Sequence, residues 1–171
     1  MKKSFLIITI ALLSINCIYS QTKKDVTAKS EINKDFAKAY DYVNDFEKIL
    51  TPTQITTLNT TLKSFEKKAL YKIIIVTTSS AGSYVNFSEY SQALDKYLTT
   101  DLKTEPSVLI VVSKQMRQIQ VLGSSFIKYK LDDSQTTEII SNYTVPEFKK
   151  GNYYKGMEDS VTQIMQKLEA K

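Results

Sequence analysis

Histidine and tryptophan are absent from the 171-residue chain, and its single cysteine, Cys17, lies close to the amino terminus. Catalysis by a serine–histidine or cysteine–histidine pair is therefore excluded, and so are zinc sites built from histidine and cysteine. A single cysteine also cannot form a disulfide within the chain. The chemistry that remains is carboxylate–metal catalysis or a serine–lysine pair, and the alternative is a domain without catalytic activity.

Glycine and arginine are also scarce. The four glycines, at positions 82, 123, 151 and 156, form neither the GxGxxG pattern of dinucleotide-binding folds nor the GxxxxGK pattern of phosphate-binding loops. Arg117 is the only arginine among 23 basic residues, whereas arginine is the preferred residue for bidentate recognition of phosphate. The lysines are scattered along the chain, so we interpret them as solvated surface and expect no nucleic-acid partner.

The first twenty residues have the three parts of a secretory signal. Two lysines follow the initiator methionine, Phe5 to Ile15 is almost wholly apolar, and a polar segment follows Ser20. The apolar run is shorter than the roughly 20 residues that a membrane-spanning helix needs. We expect cleavage after Ser20, which would remove two lysines and no acid and lower the formal net charge from +5 to +3. A lipoprotein modified at Cys17 is the alternative, although Asn16 is not the small residue that a lipobox requires.

The rest of the chain is long enough for one domain with a sizeable core. Residues 21–40 are rich in lysine, threonine and aspartate and are interpreted as a flexible or helical lead-in, and residues 41–171 as the domain itself. No transmembrane helix is expected after signal cleavage. We therefore expect a periplasmic or secreted protein, or one anchored to a membrane if Cys17 carries a lipid.

Hydrophobic periodicity predicts helices and strands along the domain. Thr51-Pro52-Thr53-Gln54 is a strong helix start, because threonine can cap the helix, proline suits the first turn and glutamine lies three residues after the cap. Pro146 is expected to end a helix that Asp132 or Asp133 caps. The predicted elements are a helix from Pro52 with Ile55, Leu58, Leu62 and Phe65 inward, a strand over Lys72–Thr78, a helix over Asn86–Leu98, strands over Val108–Val112 and Arg117–Leu122, a helix carrying Ile139, Ile140 and Tyr143, and a last helix from Tyr153 with Met157, Val161, Ile164, Met165 and Leu168 inward.

The order of these elements predicts the architecture. Strand, helix and strand form a right-handed βαβ unit with two parallel strands, and both of those strands have the continuous apolar runs of strands that are buried on both faces. The short turn after Val112 predicts an antiparallel hairpin with a more exposed third strand. The predicted fold is α/β: a Rossmann-like, three-layer α/β/α sandwich with a small mixed sheet and helices on both faces, in which periodicity identifies three strands.

Several segments together resemble one family. Val43-Asn44-Asp45-Phe46, followed by Leu50-Thr51-Pro52, is similar to the opening V-N-D-x-A-x-x-L-[ST]-P of TPM domains. KIIIVTTSS resembles the first strand of that family, FSEYSQALDKYL resembles the helix after it, and VPEFKKGNYYKGM resembles its I-P-x-F-[KR]-x-G-[DN]-Y-x-x-G segment. The resemblance covers residues 41 to 168, in the order expected for the family.

TPM domains occur in thylakoid proteins, in a nematode modulator and in many exported bacterial proteins. The resemblance implies a Rossmann-like sandwich with a four-stranded mixed sheet, and export or membrane attachment. The activities that the resemblance implies are diverse: weak acid phosphatase activity, calcium binding and assistance to membrane complexes.

Two departures from the family pattern bear on a metal site. The family usually has Asp-Asn-Gly before the second strand, where this chain has Glu105-Pro106-Ser107, and it has an acid where this chain has Ile127. Asp132 matches the acid that follows, and Asp45 belongs to the opening motif. Because a calcium ion takes six to eight oxygen ligands, the resemblance implies a weakened metal site on Asp45, Glu105 and Asp132. We expect calcium to bind weakly or not at all.

Each of these acids also has a structural interpretation. Glu105 can belong to a proline-stiffened turn and Asp132 can cap a helix, and we prefer these roles to metal binding. For Asp45 a metal role and a cap of the segment that ends at Leu50 are left open. Two further candidates are weaker: Thr77 to Ser80 lie where open α/β sheets bind ligands, and Tyr153 and Tyr154 either pack against the domain or anchor a partner.

These observations favour a non-catalytic accessory or interaction domain that assists a protein complex of the envelope. Its partner would be an envelope or membrane protein, and no cofactor is expected. The alternative is a weak metal-assisted acid phosphatase or a calcium-binding domain, in which Asp45, Glu105 and Asp132 would hold Ca2+.

Overall fold

The computed structural model describes residues 36–170, so the predicted signal and most of the lead-in lie outside the described residues. Residues 38–170 belong to one compact unit, which contains every element named below. Within this range the sheet has four strands, which are β1 Val43–Asp45, β2 Ile73–Thr77, β3 Val108–Ser113 and β4 Gln118–Gly123. They are ordered β1-β2-β3-β4, with the first three parallel and β4 antiparallel to β3. The predicted mixed sheet is confirmed, with the four strands that the resemblance implied.

Periodicity missed β1 because a strand of three residues is too short for an alternating pattern. Hydrogen-bonded pairing with β2 sets the position of β1 in the sheet, since Val43 lies opposite Ile75 and Asp45 lies opposite Thr77. Val43 is buried, and its backbone N–H donates a hydrogen bond of 2.9 Å to the side chain of Asn59 on the following helix. This short strand is therefore held by a helix as well as by the sheet.

Within residues 36–170 the chain forms a short 3-10 helix, Ser125–Ile127, and five α-helices. They are α1 Pro52–Ala69, α2 Phe87–Thr100, α3 Asp133–Ile139, α4 Val145–Lys149 and α5 Tyr153–Glu169, and a π-helical turn, Ile140–Thr144, joins α3 to α4. α1 begins as predicted, because the Thr51 hydroxyl accepts from the Gln54 N–H while the Gln54 side chain accepts from the Thr51 N–H at 2.8 Å. None of the helices in this part of the chain is long and apolar enough to cross a membrane.

The sheet carries packed side chains on both faces, because alternate residues of a strand point to opposite sides. The main core lies on one face, against α1, α3 and α5, and includes Leu58, Leu62, Phe65, Ile73, Ile75, Ile110, Ile139, Met157, Val161, Ile164 and Leu168. Ile74 and Val76 of β2 lie on the other face and are fully buried, as are Leu94 and Leu98 of α2. The predicted three-layer α/β/α sandwich is thus confirmed.

The prediction that a helix stops before Pro146 is wrong. The chain stays helical through this residue, because Pro146 lies in the first turn of α4, where its missing N–H is not needed. The π-helical turn before it holds an extra residue, and the Val145 N–H donates to the carbonyl of Ile140. This extra residue shifts the helical phase, so Thr144 is buried and Tyr143 is 41% exposed.

The protein is expected to be less stable with Leu70 at the end of α1 than with glycine at that position. The φ of Leu70 is 64° and its side chain is 84% exposed. A Cβ in this left-handed conformation costs about 1 to 2 kcal/mol. We expect Leu70→Gly to raise the free energy of unfolding by about 1 kcal/mol and the Tm by roughly 3 °C, measured by thermal melts. Leu70→Ala keeps the Cβ and is the matched control, so an equal gain for alanine would contradict this explanation.

Candidate functional site

The carboxyl ends of the parallel strands β1, β2 and β3 lie along one side of the sheet, which we call the carboxyl edge. Asp45 ends β1, Thr77 ends β2 and Ser113 ends β3. In the sheet register Asp45 lies opposite Thr77, and Thr77 lies opposite Val112. Ligands of open α/β sheets bind outside this edge. The carboxyl edge and its loops are therefore the candidate functional site.

Asp45 holds the loop from β1 to α1 in place. Its Oδ1 accepts hydrogen bonds from the Ile49 N–H at 3.1 Å and from Thr77 Oγ1 at 2.6 Å, and its Oδ2 accepts one from the Leu50 N–H at 2.8 Å. Of the two interpretations that the sequence left open, these contacts match the cap of the segment that ends at Leu50. Both oxygens are engaged within the chain, so the carboxylate serves as a structural acceptor.

A second acid at this edge is Glu47, which belongs to none of the sequence motifs that point to a site. Its backbone N–H donates to Thr77 Oγ1 at 3.0 Å, and its two carboxylate oxygens accept from the backbone N–H groups of Lys114 at 2.8 Å and Gln115 at 2.7 Å. No local signal indicates this role, because the partners lie 67 and 68 residues further along the chain. Glu47 thereby ties the β1–α1 loop to the β3–β4 turn.

A concave surface lies beside these loops, between the β3–β4 turn and the segment that joins α4 to α5. Its two main concavities have volumes of about 570 and 580 Å³ and share Lys114, Arg117 and Tyr153. The first is further lined by Gln118, Ile119, Val145, Phe148, Lys149 and Gly151, and the second by Glu47, Lys48, Ile49, Ser79 and Gln115. We call this surface the basic groove and define it by Lys48, Lys114, Arg117, Lys149 and Tyr153.

The four cations of the basic groove have no acidic partner within the described part of the chain. No carboxylate of residues 36–170 lies within 4.0 Å of their charged nitrogen atoms, whereas the neighbouring Lys150 and Lys155 are paired with acids. Glu47 lines the groove, but backbone N–H groups engage both of its oxygens. The interpretation of the lysines as scattered surface charge therefore misses a cluster that the fold assembles from three separate segments.

Tyr153 and Tyr154 begin α5, and both are half-buried against the core. The Tyr153 ring lies 4.7 Å from that of Phe148, measured between centroids, and Lys114 Nζ is 5.7 Å from the centre of the Tyr153 ring. Tyr154 donates a hydrogen bond of 2.7 Å to Glu158, and this bond to a carboxylate raises the pKa of Tyr154. Packing is therefore confirmed for both tyrosines, and Tyr153 also lines the basic groove.

Glu105 lies at the opposite, amino edge of the sheet. It precedes β3, is exposed, and has a φ of 42°. Asp45 pairs with Thr77, and Thr77 pairs with Val112, so Asp45 and Val112 lie at the same height in the sheet. The strand from Val112 back to Val108 spans about 13 Å at 3.3 Å per residue, and Glu105 lies beyond Val108. The structure therefore does not bring Asp45 and Glu105 together.

Asp132 caps α3, as its structural interpretation predicted. Its Oδ1 accepts from the Gln135 N–H at 2.7 Å, and the Gln135 side chain accepts from the Asp132 N–H at 3.0 Å. Ile127, at the position where the family has an acid, is fully buried in the core. Nearby, Tyr71 and Phe126 stack with ring centroids 6.4 Å apart. Apolar and aromatic side chains thus occupy this part of the amino edge.

No three acidic side chains of residues 36–170 form a group that could hold a metal ion. Asp45 lies at the carboxyl edge with both oxygens engaged, Glu105 is exposed at the amino edge, and Asp132 caps a helix. The metal site predicted on these three acids stays a prediction, and so does calcium as the ion that it would bind.

A family model described as TPM domain matches residues 43–167, which is most of the chain. The chain belongs to the TPM domain family. The match begins at β1 and ends within α5, so it includes the whole sheet and the helices on both of its faces. The family that the sequence motifs resembled is therefore confirmed, whereas no curated protein matches this TPM domain.

Solved structures share the fold of this TPM domain. The N-terminal domain of a protein from P. gingivalis is 22% identical, with a TM-score of 0.67 over 77% of this chain and 84% of that chain. The BA42 protein of the psychrophilic bacterium Bizionia argentinensis is 18% identical, with a TM-score of 0.58 over 72% of this chain and 83% of that chain. The N-terminal domain of a Corynebacterium glutamicum protein is 11% identical, with a TM-score of 0.56 over 80% and 89% of the two chains. At these identities the likeness supports the fold alone.

Proposed function

We propose that this TPM domain is a non-catalytic interaction domain that is exported to the cell envelope and binds a partner protein there. The observation that carries the proposal is that the acidic side chains at the carboxyl edge are held by hydrogen bonds within the chain. Among the described residues, Asp45 and Glu47 are the acids of this edge, and each accepts hydrogen bonds with both carboxylate oxygens. A general acid, a nucleophile or a metal ligand needs a carboxylate that can reach the substrate or the ion.

The groups that face solvent in the basic groove are suited to recognition. They are four cations without an acidic partner among the described residues, and the ring of Tyr153. Tyrosine and arginine are enriched among the residues that dominate protein–protein binding energies. With a volume of several hundred Å³, each concavity can take side chains of a partner. The predicted export signal and the export that the TPM resemblance implies both support a location in the envelope.

The direct test of this proposal is phosphate-ester hydrolysis. We expect the purified protein to release no p-nitrophenol from p-nitrophenyl phosphate above the buffer blank, at acidic or neutral pH and with calcium, magnesium or a chelator. Steady turnover that falls in both Glu105→Ala and Asp132→Ala would overturn the proposal and establish the metal-assisted phosphatase instead. Lys63→Gln replaces an exposed residue of α1 and is the control for differences in handling and purity between protein preparations.

Calcium is expected to leave the stability of the protein unchanged. An ion that binds only the folded state stabilises it by RT ln(1 + [L]/Kd), about 2.7 kcal/mol at a hundredfold excess over Kd. In a domain of this size that would raise the Tm by several degrees. Thermal melts in millimolar calcium and in chelator are therefore expected to coincide. A rise in Tm with calcium that Glu105→Gln abolishes would show a metal site on the predicted acids.

A further inference from the structure

The basic groove combines a charged rim with an apolar floor. Ile119, Val145 and Phe148 line the first concavity, which has a volume of about 570 Å³, and Tyr153 lines both this concavity and the second, of about 580 Å³. Lys149 lies at the first concavity and Lys48 at the second, whereas Lys114 and Arg117 line both. The positive charge therefore extends along two adjacent hollows rather than around one point.

We propose that the basic groove binds an acidic, extended peptide segment of the partner protein. Its carboxylates would pair with the four cations, and one of its apolar side chains would enter the concavity above Phe148. This inference rests on the proposed function, because it names the chemical class of partner that the interaction domain recognises. It adds a ligand class and a set of binding residues to that function.

Charge complementarity is the first argument for this ligand. The four cations of the groove have no ion pair within residues 36–170, and the one acid that lines the groove, Glu47, is engaged by the N–H groups of Lys114 and Gln115. The cations outnumber this acid four to one, so they repel one another and an anionic ligand relieves that repulsion. Such complementarity sets both the encounter rate and the choice of partner.

The shape of the groove favours a peptide over a small anion or a membrane. A single phosphate ion can contact the cations of one hollow, but it leaves the apolar floor uncovered. A membrane surface is flat on this scale, whereas the cations surround two hollows. An extended peptide places side chains at intervals of about 3.4 Å along its length, and so it can supply several carboxylates and one apolar side chain.

Two of the cations occupy backbone conformations that glycine would adopt at lower cost. Lys48 has a φ of 57° and Arg117 a φ of 54°. A glycine at either position would relieve the Cβ strain of the left-handed conformation but would lack the charge. Arg117→Gly therefore removes a cation from the groove without the loss of stability that usually confuses a binding experiment.

The test uses fluorescence anisotropy with a fluorescein-labelled ten-residue peptide in which glutamates alternate with serines around one central phenylalanine. We expect the purified protein to bind this peptide at least tenfold more tightly than the same peptide with glutamine in place of glutamate. An increase in salt from 50 to 500 mM is expected to weaken binding about tenfold, because salt screens exposed charges. Arg117→Gly and Lys149→Gln are each expected to weaken it several-fold with an unchanged or higher Tm. Lys63→Gln, on α1, is the matched control and is expected to bind as the unmodified protein does.

Several results would overturn the inference. These are equal affinity for the glutamate and glutamine peptides, binding that is unaffected by Arg117→Gly and Lys149→Gln, and full competition by millimolar inorganic phosphate. Arg117-dependent binding to vesicles of anionic phospholipid without binding to the peptide would also overturn it, in favour of a membrane ligand. Failure to bind the peptide with no phosphate-ester turnover would remove this inference alone, whereas steady turnover that falls in both Glu105→Ala and Asp132→Ala would remove the proposed function.

Discussion

Replacement of Asp45 by alanine is expected to lower the free energy of unfolding by about 2 to 4 kcal/mol, because hydrogen bonds to a charged acceptor contribute about 1.5 to 3 kcal/mol each and losses within one network are not additive. The change removes the acceptor of the Ile49 N–H, the Leu50 N–H and the Thr77 hydroxyl. Thr77 is fully buried, so its hydroxyl cannot turn to water. Urea unfolding at neutral pH measures the loss directly.

Asp45→Asn and Thr77→Val are the matched variants for this prediction. Asparagine keeps one carbonyl oxygen as an acceptor, so it is expected to lose about half as much stability as alanine. Valine keeps the shape of Thr77 but removes the hydroxyl, and the double variant with Asp45→Ala is expected to show a coupling of at least about 1 kcal/mol. If Asp45→Ala were as stable as the unmodified protein in chelator, the capping role would be wrong and a metal role would be favoured.

Gly156→Ala is expected to destabilise the protein by about 2 kcal/mol, although alanine is the better helix former by about 1 kcal/mol. Gly156 lies in α5, where an added Cβ would come within 2.6 Å of two ring carbons of Phe148 and 3.0 Å of the Thr144 carbonyl oxygen. The ring can shift only by disturbing its contact with Tyr153, and the carbonyl is part of the backbone. We therefore expect steric overlap to outweigh helix propensity, as measured by chemical unfolding.

Phe148→Leu provides the control for this prediction. The smaller side chain makes room near Gly156, so the double variant is expected to lose clearly less stability than the sum of the two single changes. Because Phe148 also lines the basic groove, the same variants report whether close packing of α4 against α5 shapes that surface. A gain in stability for Gly156→Ala would mean that α4 moves away from α5 at little cost.

Much of the local structure could be predicted from the sequence, and the helix caps illustrate why. The Thr51 and Asp132 capping boxes each join residues three positions apart, so their hydrogen bonds depend only on neighbouring residues. The inward residues of α1 and α5 follow the 3.6-residue period and were predicted correctly. By contrast, the π-helical turn before Pro146 was missed, because it depends on how α3 and α4 pack against α5.

Recognition of the candidate site depends on the tertiary structure much more strongly than recognition of the helix caps does. Sequence motifs point to three acids, but Asp45 at the end of β1 and Glu105 before β3 lie at opposite edges because these strands run parallel. Glu47 gained its role only when the β3–β4 turn came beside the β1–α1 loop. Sequence patterns could not predict these relations, since each of them depends on the direction and order of strands that are far apart in the chain.

By itself the sequence determined the family, the α/β class, most element positions and the kinds of catalysis that are excluded. These follow from residue types and from contacts within about four positions along the chain, which the sequence displays directly. Only the tertiary structure decided which charged groups are engaged and which face solvent. Lys48, Lys114, Arg117 and Lys149 come from three segments, and they form one groove because the loops of the sheet and the turn before α5 meet at the carboxyl edge. Long-range strand pairing sets that meeting point, and no local pattern encodes it.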